Sequence, residues 1–139
     1  MSGQFLLKGK LNRESIYNYY NYVQVYNNLN SLYSFTGHED GSCMIYDITA
    51  GRTLQLFTPH TMDCRSVRFS PDNNFLLTGS YDTSIIMMDV RKDLETRIPP
   101  YSVVASHRDK VIQCRWHPSV LAFLSSSADK TVSLWAPDY

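Results

Sequence analysis

A serine, an aspartate and a histidine lie close enough along this chain to suggest hydrolytic chemistry. The stretch "SSSADKTVSLW" (residues 125–135) holds Ser125 and Asp129, and His107 stands not far upstream of them. A hydroxyl activated by an imidazole, itself oriented by a carboxylate, is the apparatus of acyl transfer. Such a nucleophile also needs an exposed oxygen, an oxyanion hole and a cleft. No G-x-S-x-G elbow occurs in the sequence to present one.

The same residue types recur at fixed spacing. "TGHEDGSCMIYDI" from Thr36, "TGSYDTSIIMMDV" from Thr78 and "SSSADKTVSLWAP" from Ser125 align without gaps. Each carries a hydroxyl residue four before an aspartate: Thr36 and Asp40, Thr78 and Asp82, Ser125 and Asp129. Each carries a large side chain six after it: Tyr46, Met88 and Trp135. The later two also share a histidine at one and the same separation before the aspartate, His60 for Asp82 and His107 for Asp129. Successive aspartates recur at a period of roughly 45 residues. A pattern that repeats at such a period belongs to the architecture rather than to one catalytic centre.

The elements that position these residues read as short strands. "CRSVRF" and "VIQCRW" alternate Val67/Phe69 and Cys114/Trp116 on one side. Each is followed by a turn with an early proline, Pro71 or Pro118, which presets φ for the first turn position. The apolar runs "NFLLTGS" and "VLAFLSS" suit strands buried on both faces, and "SIIMMDV" and "TVSLWA" supply third strands. More variable fourth strands fall at 53–58 and 101–106, and "YVQVY" serves as the first strand of the first unit. No long amphipathic helix is legible.

Four strands in a unit of this length, with a histidine early and an aromatic late, resemble the WD40 repeat of β-propellers. The resemblance covers residues 21 to 136. It implies an all-β fold of about three four-stranded antiparallel blades, a segment of an incomplete propeller. The implied division is an irregular segment 1–20 with a possible strand at 4–11, then blades at 21–58, 59–105 and 106–136, the last lacking its outer strand. It further implies a buried hydrogen-bonded set within each blade, complete at His107, Ser125, Asp129 and Trp135. The second unit keeps His60, Thr78 and Asp82, but Met88 has no indole N–H to give. The first keeps Thr36 and Asp40, has Tyr46 at the Trp position and lacks the histidine. Buried and satisfied, such a set stabilises a blade, and removing one member leaves the others unpaired. The expected protein is therefore not an enzyme and needs no cofactor.

Three segments, "TGHEDGSCMIYD", "RSVRFSPDNNFLLTGSYD" and "DKVIQCRWHPSVLAFLSSSADKTVSLW", are similar to the C-terminal blades of the nemitin family. That resemblance implies a microtubule-associated scaffold, with tubulin or microtubule minus-end binding proteins as partners. The alternatives are a general WD40 peptide-binding adaptor and a truncated product without independent function. Between four and about eight blades close a propeller. Three leave wide apolar faces and a free sheet edge, which invite self-association.

Composition narrows the remaining classes. Thirteen basic and thirteen acidic side chains cancel among 139 residues, so no overall field favours nucleic acid or an anionic membrane. No apolar run approaches the roughly 18 residues of a membrane helix. The apolar stretch near the N-terminus is too short for a secretory signal, and a cytoplasmic setting, including the microtubule cytoskeleton, is the simplest expectation. Cys43, Cys64 and Cys114 are odd in number and far apart, as expected of reduced buried thiols rather than disulfides or zinc ligands. His38, Glu39 and Asp40 imitate a metal site, but Asp40 occupies the turn position of the repeat, so no metal is expected. Residues 16 to 33 are rich in tyrosine and asparagine, a biased segment. Candidate partner-binding residues fall in the loops: Met62, Asp63, Arg65, Tyr81, Arg108, Asp109 and Lys110. Tyr81 and Arg65 have the chemistry favoured at interface hot spots.

Overall fold

The computed structural model of the chain describes residues 22–28 and 31–138. The segment 1–20, its possible strand at 4–11 and part of the first turn lie outside them.

The described residues form eleven strands in three sheets, every pairing antiparallel. The first sheet holds β1 (Tyr22–Asn28), β2 (Ser31–Gly37), β3 (Cys43–Asp47) and β4 (Arg52–Phe57). The second holds β5 (Cys64–Phe69), β6 (Phe75–Ser80), β7 (Ser84–Asp89) and β8 (Tyr101–Ser106), and the third β9 (Val111–Trp116), β10 (Phe123–Ser127) and β11 (Val132–Trp135). Within each sheet the strands lie side by side in chain order. Burial follows position: β6, "FLLTGS", is enclosed almost throughout, whereas β8, "YSVVAS", is exposed except at Ala105. An interior strand has neighbours on both edges and both faces, and an outer strand has fewer.

The aspartate of each repeat builds the turn between the second and third strands. Its Oδ1 accepts the backbone N–H two residues on, from Ser42, Ser84 and Thr131, at 2.9 Å each time. This side-chain mimicry of a turn bond holds the intervening residue in the left-handed region. Gly41, Thr83 and Lys130 stand there with φ of 85°, 79° and 70°. Gly41 is also pressed from outside, since a Cβ there would lie 2.3 Å from the carbonyl oxygen of His60.

Face-to-face stacking of the sheets makes two apolar cores. Tyr33, Phe35, Cys43 and Ile45 of the first sheet meet Cys64, Val67, Leu76, Ile86 and Met88 of the second. Leu77, Ile85 and Ala105 of the second meet Val111, Cys114 and Phe123 of the third, with Met87, Trp116 and Trp135 at the margin. At Gly79 the approach is so close that a Cβ would lie 2.8 Å from Cγ1 of Val111. Leu94, from the connection between β7 and β8, is buried in the first core. The result is an all-β arc of stacked antiparallel sheets, a segment of a propeller as the sequence implied, with a third sheet of three strands.

Candidate functional site

Two of the repeat histidines reach from the connection before an inner strand to the turn aspartate and the strand hydroxyl. His60 Nδ1 lies 3.0 Å from Asp82 Oδ2, and its Nε2 lies 2.8 Å from the Thr78 hydroxyl. A carboxylate only accepts, so Nδ1 carries the proton and Nε2 accepts from Thr78. Asp82 Oδ2 also accepts the Thr61 N–H at 3.1 Å. Burial opposes the Asp82 charge, but the Ser84 hydroxyl and N–H, His60 and the Thr61 N–H together hold its carboxyl below the usual range. Burial also lowers the His60 pKa against the pull of Asp82. In the third sheet His107 Nδ1 is 2.9 Å from Asp129 Oδ2 and Nε2 is 2.6 Å from Ser125 Oγ. The Trp135 indole N–H donates to the same Ser125 oxygen at 2.8 Å. The Asp129 carboxyl is held well below its ordinary value, chiefly by the Thr131 hydroxyl.

The first sheet corrects the sequence reading, which left it without an imidazole. His38, inside the turn itself, is buried and places Nε2 2.7 Å from the Thr36 hydroxyl and Nδ1 2.9 Å from Ser42 Oγ. Ser42 in turn bonds Asp40, lowering that carboxyl first through its hydroxyl and then through its N–H. The strand hydroxyl, imidazole and carboxylate are therefore linked as in the other sheets, with one serine interposed. The usable sequence signal was a histidine two after Thr36 and four before Ser42, not one at the repeat's usual distance upstream. Spacing analysis also missed Ser80 and Ser127. Their hydroxyls donate to the carbonyls of Met62 and Asp109 at 3.0 and 3.1 Å, pinning each turn to the loop beside it.

Ser125 is 1% exposed, with its oxygen enclosed by His107 and Trp135. An open hollow of about 440 Å³ does lie over His107 and Asp129, but Ser125 does not line it. The serine of the triad-like set is thus built into the sheet, out of reach of a substrate carbonyl. Among the described residues no three His, Cys, Asp or Glu side chains converge as metal ligands. The three cysteines are free and buried. Burial pushes the Cys114 thiol up to about 12.

The candidate binding residues gather at one end of the second and third sheets, with Arg65 standing in β5 rather than in the loop the sequence reading gave it, because antiparallel order brings the segments before β5 and β9 beside the turns after β6 and β10. Tyr81 is anchored by its N–H to the Asp63 carbonyl at 2.9 Å. The Arg65 guanidinium lies 5.1 Å from the centre of its ring and the Lys110 ammonium 4.8 Å. Asp63 approaches Arg65 at 3.6 Å. Lys110, from the neighbouring sheet, makes no ion pair among the described residues. Met62, Arg108 and Asp109 expose their side chains around this cluster while their backbones are tied down.

Antiparallel sheets braced by a turn aspartate, an imidazole and a strand hydroxyl define the blades of a β-propeller. The chain belongs to the WD domain, G-beta repeat family, which it matches over residues 51–89 and 99–136. It is similar to human WD repeat and SOCS box-containing protein 1, at 29% identity over 74% of this chain and 24% of that one. Elongator complex protein 2 of Rattus norvegicus is 24% identical over 70% of this chain and 13% of its own length. The chain thus spans about a quarter or less of these relatives. The computationally designed Ika4 protein has the same fold over 81% of this chain and 64% of its own, with a TM-score of 0.59 at 22% identity. As a WD40 domain the chain has the general capacity of that family for protein–protein interaction.

Proposed function

We propose that the chain is a non-catalytic protein-binding module, a WD40 adaptor segment that engages acidic segments of partner proteins at the loop rim around Tyr81. The observation that carries this reading is the stack of Arg65, Tyr81 and Lys110 across the junction of two blades. The ring faces are electron-rich, and each cation lies about 5 Å from the ring centre. A carboxylate arriving there meets the exposed Lys110 ammonium and an aromatic surface beside the Arg65–Asp63 pair, the chemistry of an interface anchor. A hexaglutamate peptide titrated into the labelled chain is expected to shift NMR signals of Arg65, Tyr81 and Lys110. Lys110→Glu should weaken that binding at least tenfold, and added salt should weaken it in the native chain. Shifts confined to other surfaces would refute the rim as the site.

A narrower reading, that this module serves a nemitin-like microtubule scaffold, rests on the three segments similar to that family. Six Lys and Arg against three Asp and Glu between Arg91 and Arg115 suit the acidic surface of tubulin. Co-sedimentation with microtubules tests it. Pelleting that is lost with Lys110→Glu supports it, and a chain that stays in the supernatant leaves the general adaptor.

A further inference from the structure

Cys43 and Cys64 meet where the first sheet stacks on the second, and a glycine makes room for them. Gly37 of β2 lies opposite Cys43 of β3 in the antiparallel register. It also receives Cys64 of β5 on its bare face, since a Cβ at Gly37 would lie 2.7 Å from the Cys64 sulfur and 3.1 Å from the Cys64 Cβ. Both thiols are buried in the first apolar core. Neither is in a disulfide, and the two hydrogen-bond to one another. The Cys64 S–H also reaches the Ser66 carbonyl oxygen at 3.8 Å. The hydrogen bond with Cys43, and then burial, raise the Cys64 thiol well above its ordinary value.

The second junction shows that packing alone does not call for thiols here. Gly79 lies opposite Ile85 as Gly37 lies opposite Cys43. Val111 presses on Gly79 as Cys64 presses on Gly37, with its Cγ1 2.8 Å from the place of a Cβ. Two branched aliphatic side chains thus fill the stations that Cys43 and Cys64 hold at the first junction, and they bury more apolar surface than two thiols. Cys114 also approaches Gly79, at 2.9 Å, but the residue opposite that glycine is the aliphatic Ile85.

We infer that Cys43 and Cys64 form a reversible disulfide that ties β3 of the first blade to β5 of the second. The bond forms by exchange with a small-molecule disulfide of the glutathione class. The thiolate of one cysteine attacks the donor, whose first thiol leaves, and the other cysteine then displaces the second. The two cysteines give up two electrons and two protons in all, and the donor becomes two thiols. Enclosed thiols of raised pKa do not react in place. Exchange therefore starts when the junction between the two blades opens, and the finished bond holds it shut. This pair lies in the core and not on the Tyr81 rim, so either reading can fail without the other.

The full chain tests this without a substitution. It is incubated with glutathione disulfide at a urea concentration just below its midpoint, diluted, alkylated in denaturant and cut with trypsin. Residues 14–52 should then be recovered joined to 53–65, and the Cys114 peptide 111–115 should carry the alkyl group. Dithiothreitol should part the joined peptides. The oxidised chain should unfold at a urea concentration about 1 M higher, a gain that reduction removes. Without urea the bond should form at least tenfold more slowly. Cys64→Val, which copies Val111, should gain nothing from the oxidant. A bond mainly to Cys114 would overturn the inference, as would a chain that keeps all its thiols free. A Cys43–Cys64 bond that leaves the midpoint unchanged or lowers it would also overturn it, and equal rates with and without urea would refute the opening step.

Discussion

His60 and His107 hold the same station in successive blades, yet the two blades secure them differently. In the second blade Met88 is fully buried and adds no hydrogen bond, while β8 runs over Ser84 and closes the site. In the third no strand pairs with the outer edge of β11 among the described residues and Thr131 is exposed, but Trp135 adds an indole donor to the strand hydroxyl. One blade relies on enclosure, the other on an extra bond. Enclosure makes every lost partner costly, because water cannot replace it. A second bond to an oxygen that already has a partner is worth less, since losing it orphans nothing. His38 shows a third solution, an imidazole drawn from the turn itself.

The sharpest test of this contrast is His60→Ala. It leaves the Thr78 hydroxyl, which is fully buried, and the Asp82 carboxylate without their shared partner. The expected loss is roughly 2–4 kcal/mol, the cost of orphaning buried polar groups. Urea unfolding followed by circular dichroism measures it. A loss below about 1 kcal/mol, the net worth of one ordinary hydrogen bond, would show that enclosure adds nothing.

Acid should loosen the first two blades before the carboxylates themselves titrate. Burial lowers the pKa of His38 and of His60 below the ordinary 6.5. Just below that pH the unfolded chain binds protons that the folded one refuses, so stability falls as pH drops. The contribution is complete above 6.5 and is lost progressively below it. Asp40, Asp82 and Asp129, all held below 3.8, add a second loss of the same sign at lower pH. The urea midpoint should therefore be lower at pH 5.5 than at pH 7.5, and His60→Gln should flatten that difference. An identical midpoint at both values would contradict neutral, buried imidazoles.

The sequence made the blade pattern visible because each blade repeats a local rule, with an aspartate that caps a turn and a hydroxyl four residues earlier. His38 escaped because the repeat directs attention far upstream of the aspartate, whereas a turn can supply an imidazole from within. Leu94 escaped for a different reason. It is one apolar residue among charged neighbours in "RKDLETRIPP", without periodicity, yet it fills the first core. Arg65, Tyr81 and Lys110 were each conspicuous as candidate contact residues, Arg65 read as a loop residue though it stands in β5, but only the stacking of two blades brings both cations beside one ring.

The smallest expected effect belongs to Trp135→Phe. The phenyl ring keeps the apolar contact with Phe123, whose ring centre lies 6.4 Å from the indole, and removes only the N–H that Ser125 accepts. Ser125 retains His107 at 2.6 Å, so no buried group is left without a partner. The expected cost is about 1 kcal/mol, the net worth of one hydrogen bond. A loss as large as that of His60→Ala would mean that the indole, and not the imidazole, is the member on which the third blade depends. It would also remove the distinction between a blade held by enclosure and one held by an added donor.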